Sequence, residues 1–166
     1  MFSIALIGEV NMAGSELPKL ESKVHINASA EQFHDILCNR TYHIANICPQ
    51  KIQAVNIHKG EWGSEGSIIT WNILQDGKAY VSKEVVEGID RENNKVTFRP
   101  IEGDLSGLFK GIKFIVQVTP KVKGSDVHWI MEYEKQCDHT LDPQSFLDMA
   151  IDMSKDIDAY LTKDQK

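Results

Sequence analysis

The segment from Asp142 to about Lys163 constrains the rest of this chain more than any other. Asp142 is a good helix N-cap, Pro143 suits the first helical position, and Leu141 can staple against Phe146. Phe146, Met149, Ala150, Met153, Ile157 and Leu161 then recur at helical spacing, while Asp148, Asp152, Lys155 and Asp158 fall mostly on the other side. At about 1.5 Å per residue such a helix is roughly 33 Å long. Its apolar stripe must be covered, and nearly everything before it reads as strand. A curved antiparallel sheet wrapped around one C-terminal helix is the simplest solution.

The chain has 166 residues, enough for one domain with a sizeable core. A net charge of −6 and a pI near 5.5, with no local basic cluster, argue against nucleic acid and anionic membranes as partners. Three cysteines (Cys38, Cys48, Cys137) are too few for a disulfide framework and read as reduced thiols. No stretch approaches the ~20 apolar residues of a membrane span, so no membrane insertion is expected. The short apolar run Ile4 to Ile7 lacks a basic flank and is interrupted by Glu9, which argues against a signal peptide and for a cytoplasmic protein. Residues 1 to 18 read as a poorly ordered leader, and 19 to 164 as a single domain.

Leu20 to Asn27 alternates as a first strand. Ser29-Ala-Glu-Gln32 is a capping box that opens a short helix, and a second runs from about Arg40 to Asn46 before Pro49. Strands follow at Ile52 to His58, Ser67 to Leu74 and Lys78 to Ile89, the last two joined by an Asp76-Gly77 hairpin. A further strand spans Val96 to Pro100, with Pro100 implying an edge or a bulge. The run Leu108 to Thr119 reads as one long strand, and Val127 to Tyr133 alternates as the last. The hairpin-linked strands predict an antiparallel meander.

This order and its motifs resemble the birch-pollen-allergen superfamily (pathogenesis-related class ten), and within it the major latex proteins. The resemblance is carried by His58-Lys-Gly-Glu-Trp-Gly-Ser-Glu-Gly-Ser67, Thr97-Phe-Arg-Pro-Ile-Glu-Gly-Asp104, Gln117-Val-Thr-Pro120 and Trp129-Ile-Met-Glu-Tyr-Glu-Lys135. It covers about residues 19 to 164. It implies an α+β helix-grip fold: a seven-stranded curved antiparallel sheet, two short helices and one long C-terminal helix over a hydrophobic cavity. It further implies binding of hydrophobic plant metabolites in a stress- or defence-related setting. Two features depart from the allergen branch. The glycine loop is sparser, with Gly60, Gly63 and Gly66, and the lysine that typically follows it is replaced by Ile69. Activities of that branch that depend on loop anions or that lysine are not implied.

The inward set predicted to bind a ligand is Trp71, Tyr80, Phe98, Phe114, Trp129, Met131 and Tyr133 on the sheet, opposite Phe146, Met149 and Met153 on the helix. Such a wall is either a filled core or a pocket; apolar and aromatic lining with a few polar tips suits a pocket, and methionines let it adapt. Glu84 shares the alternation of Tyr80 and Ser82. Pointing inward it would be a buried carboxyl with a raised pKa, whereas a bulge would turn it to solvent. Glu31, His34 and Cys38 share a helix face, but a metal site needs three or four converging ligands, so none is expected. The glycine loop lacks a P-loop ending and joins two strands, which disfavours phosphate binding.

Two readings of function, and a third, follow. The first is a cytosolic protein that binds hydrophobic small molecules such as sterols, phenolics, alkaloids or hormones, as a monomer or weak dimer without a cofactor. The second is a cofactor-independent isomerase, lyase or cyclase of specialised metabolism on the same scaffold, with Glu84, Tyr80 or His43 as the acid–base group. The third is an interaction module with no ligand of its own.

Overall fold

The computed structural model describes residues 17–163. The expectation of a poorly ordered leader lies outside the described residues, apart from Leu17 and Pro18. Strand β1 (Lys19–Ile26) leads into helix α1 (Ala30–Cys38), a 3-10 turn at Thr41–His43, and the short α2 (Ile44–Ile47). The α1 start is the capping box read from the sequence: Ser29 Oγ accepts from Gln32 N–H, and Gln32 Oε1 accepts from Ser29 N–H, both at 3.1 Å.

Strands β2 (Ile52–Lys59), β3 (Ile68–Gln75), β4 (Lys78–Asp90), β5 (Lys95–Gly103), β7 (Lys113–Pro120) and β8 (Ser125–Glu132) form an antiparallel meander. The first strand closes it, because β1 pairs along its whole length with β8, from Lys19 opposite Glu132 to Ile26 opposite Ser125. The result is a seven-stranded sheet of order β1-β8-β7-β5-β4-β3-β2. Helix α4 (Gln144–Thr162) packs along β1 and β8 and also touches α1 and α2. Its start matches the sequence reading: Pro143 already has helical φ and ψ of −61° and −26°, and the Asp142 carboxylate accepts from Gln144 N–H at 3.0 Å.

One segment departs from expectation. Leu108 to Thr119 is not one strand. Leu108 ends a short helix, α3 (Asp104–Leu108), and Phe109–Lys110 form β6, which pairs with β9 (Lys135–Gln136) in a separate two-stranded ribbon. The chain breaks at Gly111, whose φ is +70° and where a Cβ would collide with the Glu134 side chain. Only glycine takes that turn without strain. The apolar run conceals it, because Phe109 and Ile112 are both buried although they lie on either side of the break.

Pro100 does sit at an irregularity. The pairing passes from Lys83–Glu102 to Glu84–Pro100, so Ile101 is one extra residue on β5. The β5–β7 ladder stops at Phe98, which leaves Pro100 with no β7 neighbour to require its missing N–H.

Candidate functional site

The position of that bulge decides where Glu84 points. It lies on β5, so β4 keeps its alternation, and Tyr80, Ser82, Glu84 and Val86 are all buried in one row. The next irregularity, an extra residue at Glu87 between the Val86–Phe98 and Gly88–Thr97 pairs, comes after Glu84. Glu87 faces outward to Arg99 at 2.6 Å and Lys113 at 3.5 Å. Glu84 is 4% exposed and accepts from the Ser82 hydroxyl at 2.7 Å through Oε2. Burial pushes its pKa up to about 7, against the opposing pull of the Ser82 hydrogen bond.

Glu84 lies on the wall of an otherwise apolar cavity of about 60 Å³ between the sheet and α4. Trp71, Phe98, Phe114 and Trp129 line it from the sheet, and Phe146, Met149 and Met153 from α4. Ile52, Ile73, Leu105 and Ala150 complete the wall. Ile73 and Ala150 lie in rows legible from the sequence, whereas Leu105 comes from α3, which carries no periodic signal.

Three residues expected at the site lie away from this cavity. Tyr80 stacks edge-on against Phe146 at 5.6 Å, with the Lys78 ammonium 5.4 Å from its ring centre. Tyr133, just beyond the end of β8, packs against Phe109 at 5.2 Å, and Phe109 in turn meets Phe146 at 5.7 Å. Met131 is fully buried core. Tyr133 thus packs on the β6–β9 ribbon through Phe109, whereas Tyr80 and Met131 lie across the ladder from the lining residues Ile73 and Phe114 without lining the cavity themselves. His43 is not on the cavity wall either; its Nε2 and the Tyr160 hydroxyl lie 3.0 Å apart, joining the 3-10 turn to the last turns of α4.

Two buried polar atoms have no hydrogen-bond partner among the described residues: the Trp71 indole N–H and the Gln75 Oε1. Both belong to the inward row of β3. Gln75 donates to Ser145 Oγ at 2.7 Å and borders a surface cleft of about 420 Å³ between the β3–β4 turn and the start of α4. Met149 lines both the cleft and the inner cavity, so the two spaces adjoin at its side chain.

The remaining candidates are structural. His34 and Cys38 are buried, with Cys38 Sγ 3.3 Å from His34 Nε2 and that nitrogen 3.1 Å from the Lys95 carbonyl, whereas Glu31 is exposed. Burial pushes the Cys38 thiol up to about 12 and lowers the His34 pKa, so neither is a poised nucleophile or base. Among the described residues no group of three or more His, Cys, Asp or Glu side chains is placed to hold a metal ion. The glycine loop between β2 and β3 is tied down by Arg91, which donates to Gly63 O at 2.8 Å and Asn39 Oδ1 at 3.2 Å. Among the described residues no helix is long and apolar enough to cross a membrane.

Comparison with known proteins agrees with this architecture. Residues 15–164 match the model of the pathogenesis-related protein Bet v 1 family. MLP-like protein 31 of Arabidopsis thaliana is 44% identical over 89% of this chain and 87% of its own length. MLP-like protein 34 of the same plant is 42% identical over 93% of this chain, which spans about half, 51%, of that longer protein. The crystal structure of ginseng major latex-like protein 151 from Panax ginseng superposes with a TM-score of 0.81 at 37% identity, covering 86% of this chain and 96% of that one.

Proposed function

The chain belongs to the pathogenesis-related Bet v 1 family, and from that premise we propose that it is a defence-related cytosolic carrier of hydrophobic small molecules, held between the sheet and α4. The observation that carries this reading is the apolar cavity, with two tryptophans and two phenylalanines facing two methionines of one helix. Burial of ligand surface would supply the affinity, at about 25 cal/mol per Å² before ordering costs.

The cavity of about 60 Å³ is far below the roughly 300–1,000 Å³ of typical ligand pockets. A metabolite therefore has to widen it. The adjoining cleft offers the room, and Met149, unbranched and between the two spaces, is the side chain that yields at least cost. Trp71 and Trp129 report occupancy directly through their emission. A neutral apolar dye such as Nile red is expected to quench them in the native protein. Ala150→Leu, which fills the cavity without removing a wall residue, is expected to weaken the dye at least tenfold. Unchanged affinity in that variant would place the ligand elsewhere.

A second reading rests on Glu84. A buried carboxyl with a pKa of about 7 exchanges a proton near neutral pH, the property an isomerase or lyase without cofactor requires. Of the three acid–base candidates it alone is on the cavity wall. Turnover of a bound metabolite that follows the titration of Glu84 and vanishes in Glu84→Gln would favour the enzyme over the carrier.

A further inference from the structure

Among the described residues Glu84 is the one titratable side chain on the cavity wall, and it makes a single side-chain hydrogen bond. A carboxylate offers about four lone-pair sites. Here the Ser82 hydroxyl, itself fully buried, donates to Oε2, the one side-chain hydrogen bond Glu84 makes among the described residues. Among the described residues the elements packed around it bring no charged group to it. The cavity walls contributed by β2, β3, β5, α3 and α4 are Ile52, Ile73, Phe98, Leu105, Ala150 and their apolar and aromatic neighbours, with no charge or titratable group among them. The charged neighbours on its own strand, Lys83 and Glu87, pair on the outer face with Glu102 and Arg99.

An ionised carboxyl left alone in apolar surroundings is costly, and the usual remedy is a cationic hydrogen-bond donor. Among the described residues no side chain is placed to be that donor, and the space in front of Glu84 is where the ligand would lie.

We infer that the cavity selects apolar molecules carrying a basic amine, whose ammonium group donates to Glu84, over alcohols of the same shape and against carboxylic acids. This deepens the carrier reading and rests on it. Recognition is non-covalent: an ammonium pairs with the ionised carboxyl, and the bound amine keeps its proton. Because binding then requires Glu84 to be ionised, amine affinity rises as pH passes upward through about 7. A neutral ligand has no such dependence of this sign.

The test uses three probes with one apolar body: 1-ethylnaphthalene, 2-(1-naphthyl)ethanol and 2-(1-naphthyl)ethylamine. Each is titrated calorimetrically into the native protein and into Glu84→Gln at pH 6 and pH 8. The expected result is that ethylnaphthalene binds both proteins alike, while the amine binds the native protein roughly tenfold more tightly at pH 8 than at pH 6. That gain is expected to disappear in Glu84→Gln. Ser82→Ala keeps the carboxyl but removes its one donor among the described residues, so it should move the rise in amine affinity to higher pH. Amine affinity that matches the alcohol, or that survives Glu84→Gln, overturns the amine preference while leaving the cavity in place. Failure of all three probes to bind overturns the carrier reading as well.

Discussion

Helix α4 meets the sheet on two unlike sides. Toward β1 and β8 its polar groups are paired. The Trp129 indole donates to Ser154 Oγ at 2.8 Å, and Ser154 donates on to the Ala150 carbonyl at 2.8 Å. One turn later the Asp158 carboxylate accepts from Asn27 N–H, at 3.0 Å through Oδ2, and from Ala28 N–H at 2.8 Å. Toward β3 and β4 the pattern reverses: the Trp71 indole and Gln75 Oε1 are unpartnered, and Glu84 has Ser82 alone. The two tryptophans make the contrast sharp, since both are nearly buried on the same cavity and differ in whether α4 answers the indole N–H. A buried polar group left unpaired costs stability that a paired one does not. The two flanks thus differ in degree: α4 is also tied on the β3 side, by Gln75 to Ser145 and by Lys51 to Asp156, each at 2.7 Å, but only there do buried polar atoms stay unpartnered among the described residues.

The contrast breaks first at its anchor. Asp158→Ala strips two backbone N–H groups of a charged acceptor and is expected to cost about 2–4 kcal/mol in chemical denaturation. A loss below about 1 kcal/mol would mean that water replaces the carboxylate and that α4 is not fastened there.

On the opposite flank, pH is the probe. The folded-state pKa of Glu84 is raised from 4.5 to about 7, so the native protein holds a proton that the unfolded chain releases. Stability from this group is therefore fully present below about pH 4.5, falls as pH rises, and levels off above about 7, a span on the order of 3 kcal/mol. In Glu84→Gln that decline is expected to be absent, so the variant gains on the native protein between pH 5 and pH 8 in thermal melts. His34 acts in the other direction. Its pKa is lowered by burial, so its contribution is lost as pH falls below the unfolded value and on through the lower folded one, a trend the Glu84 variant should expose.

The tryptophan pair sharpens the comparison at smaller scale. Trp129→Phe is expected to cost about 1 kcal/mol more than Trp71→Phe, the value of one hydrogen bond, since the ring loss is common to both. Equal losses would show that the Ser154 bond contributes nothing net. Smallest of all, Gln75→Met gives up the Ser145 bond but also removes an orphan acceptor, and its stability change should stay within about 0.5 kcal/mol.

The β1–β8 flank was largely legible in the sequence, and the β3–β4 flank only in part. The β3 and β8 rows can be read because period-2 alternation survives wherever one sheet face is buried. Phe146, Met149 and Met153 follow from a helical stripe in the same way. Glu84 kept its place in the row because the nearby bulge fell on β5, and no residue on β4 announces which strand will carry the extra position. Leu105 was hidden because α3 is a five-residue turn containing Gly107, too short for a period. Tyr80, Met131 and Tyr133 share the inward face yet miss the cavity, because where the ribbon and α3 plug the sheet is a property of packing between distant segments. Only Gly111 hinted at that ribbon.

The closure of the sheet has a consequence for the order of assembly. Of the described strands β1 is made first, but its entire ladder is with β8, whose residues begin at Ser125 opposite Ile26. Such distant pairing is slow, because a long loop must close before any contact rewards it. During synthesis the meander from β2 to β7 can pair strand by strand as it emerges, while Lys19–Ile26 waits with an unpaired edge. Asp158 then reaches the backbone just past that strand only when the last turns of α4 are complete. The earliest strand is thus the last to be secured, and a nascent chain stalled before residue 125 holds it ready for the wrong partner.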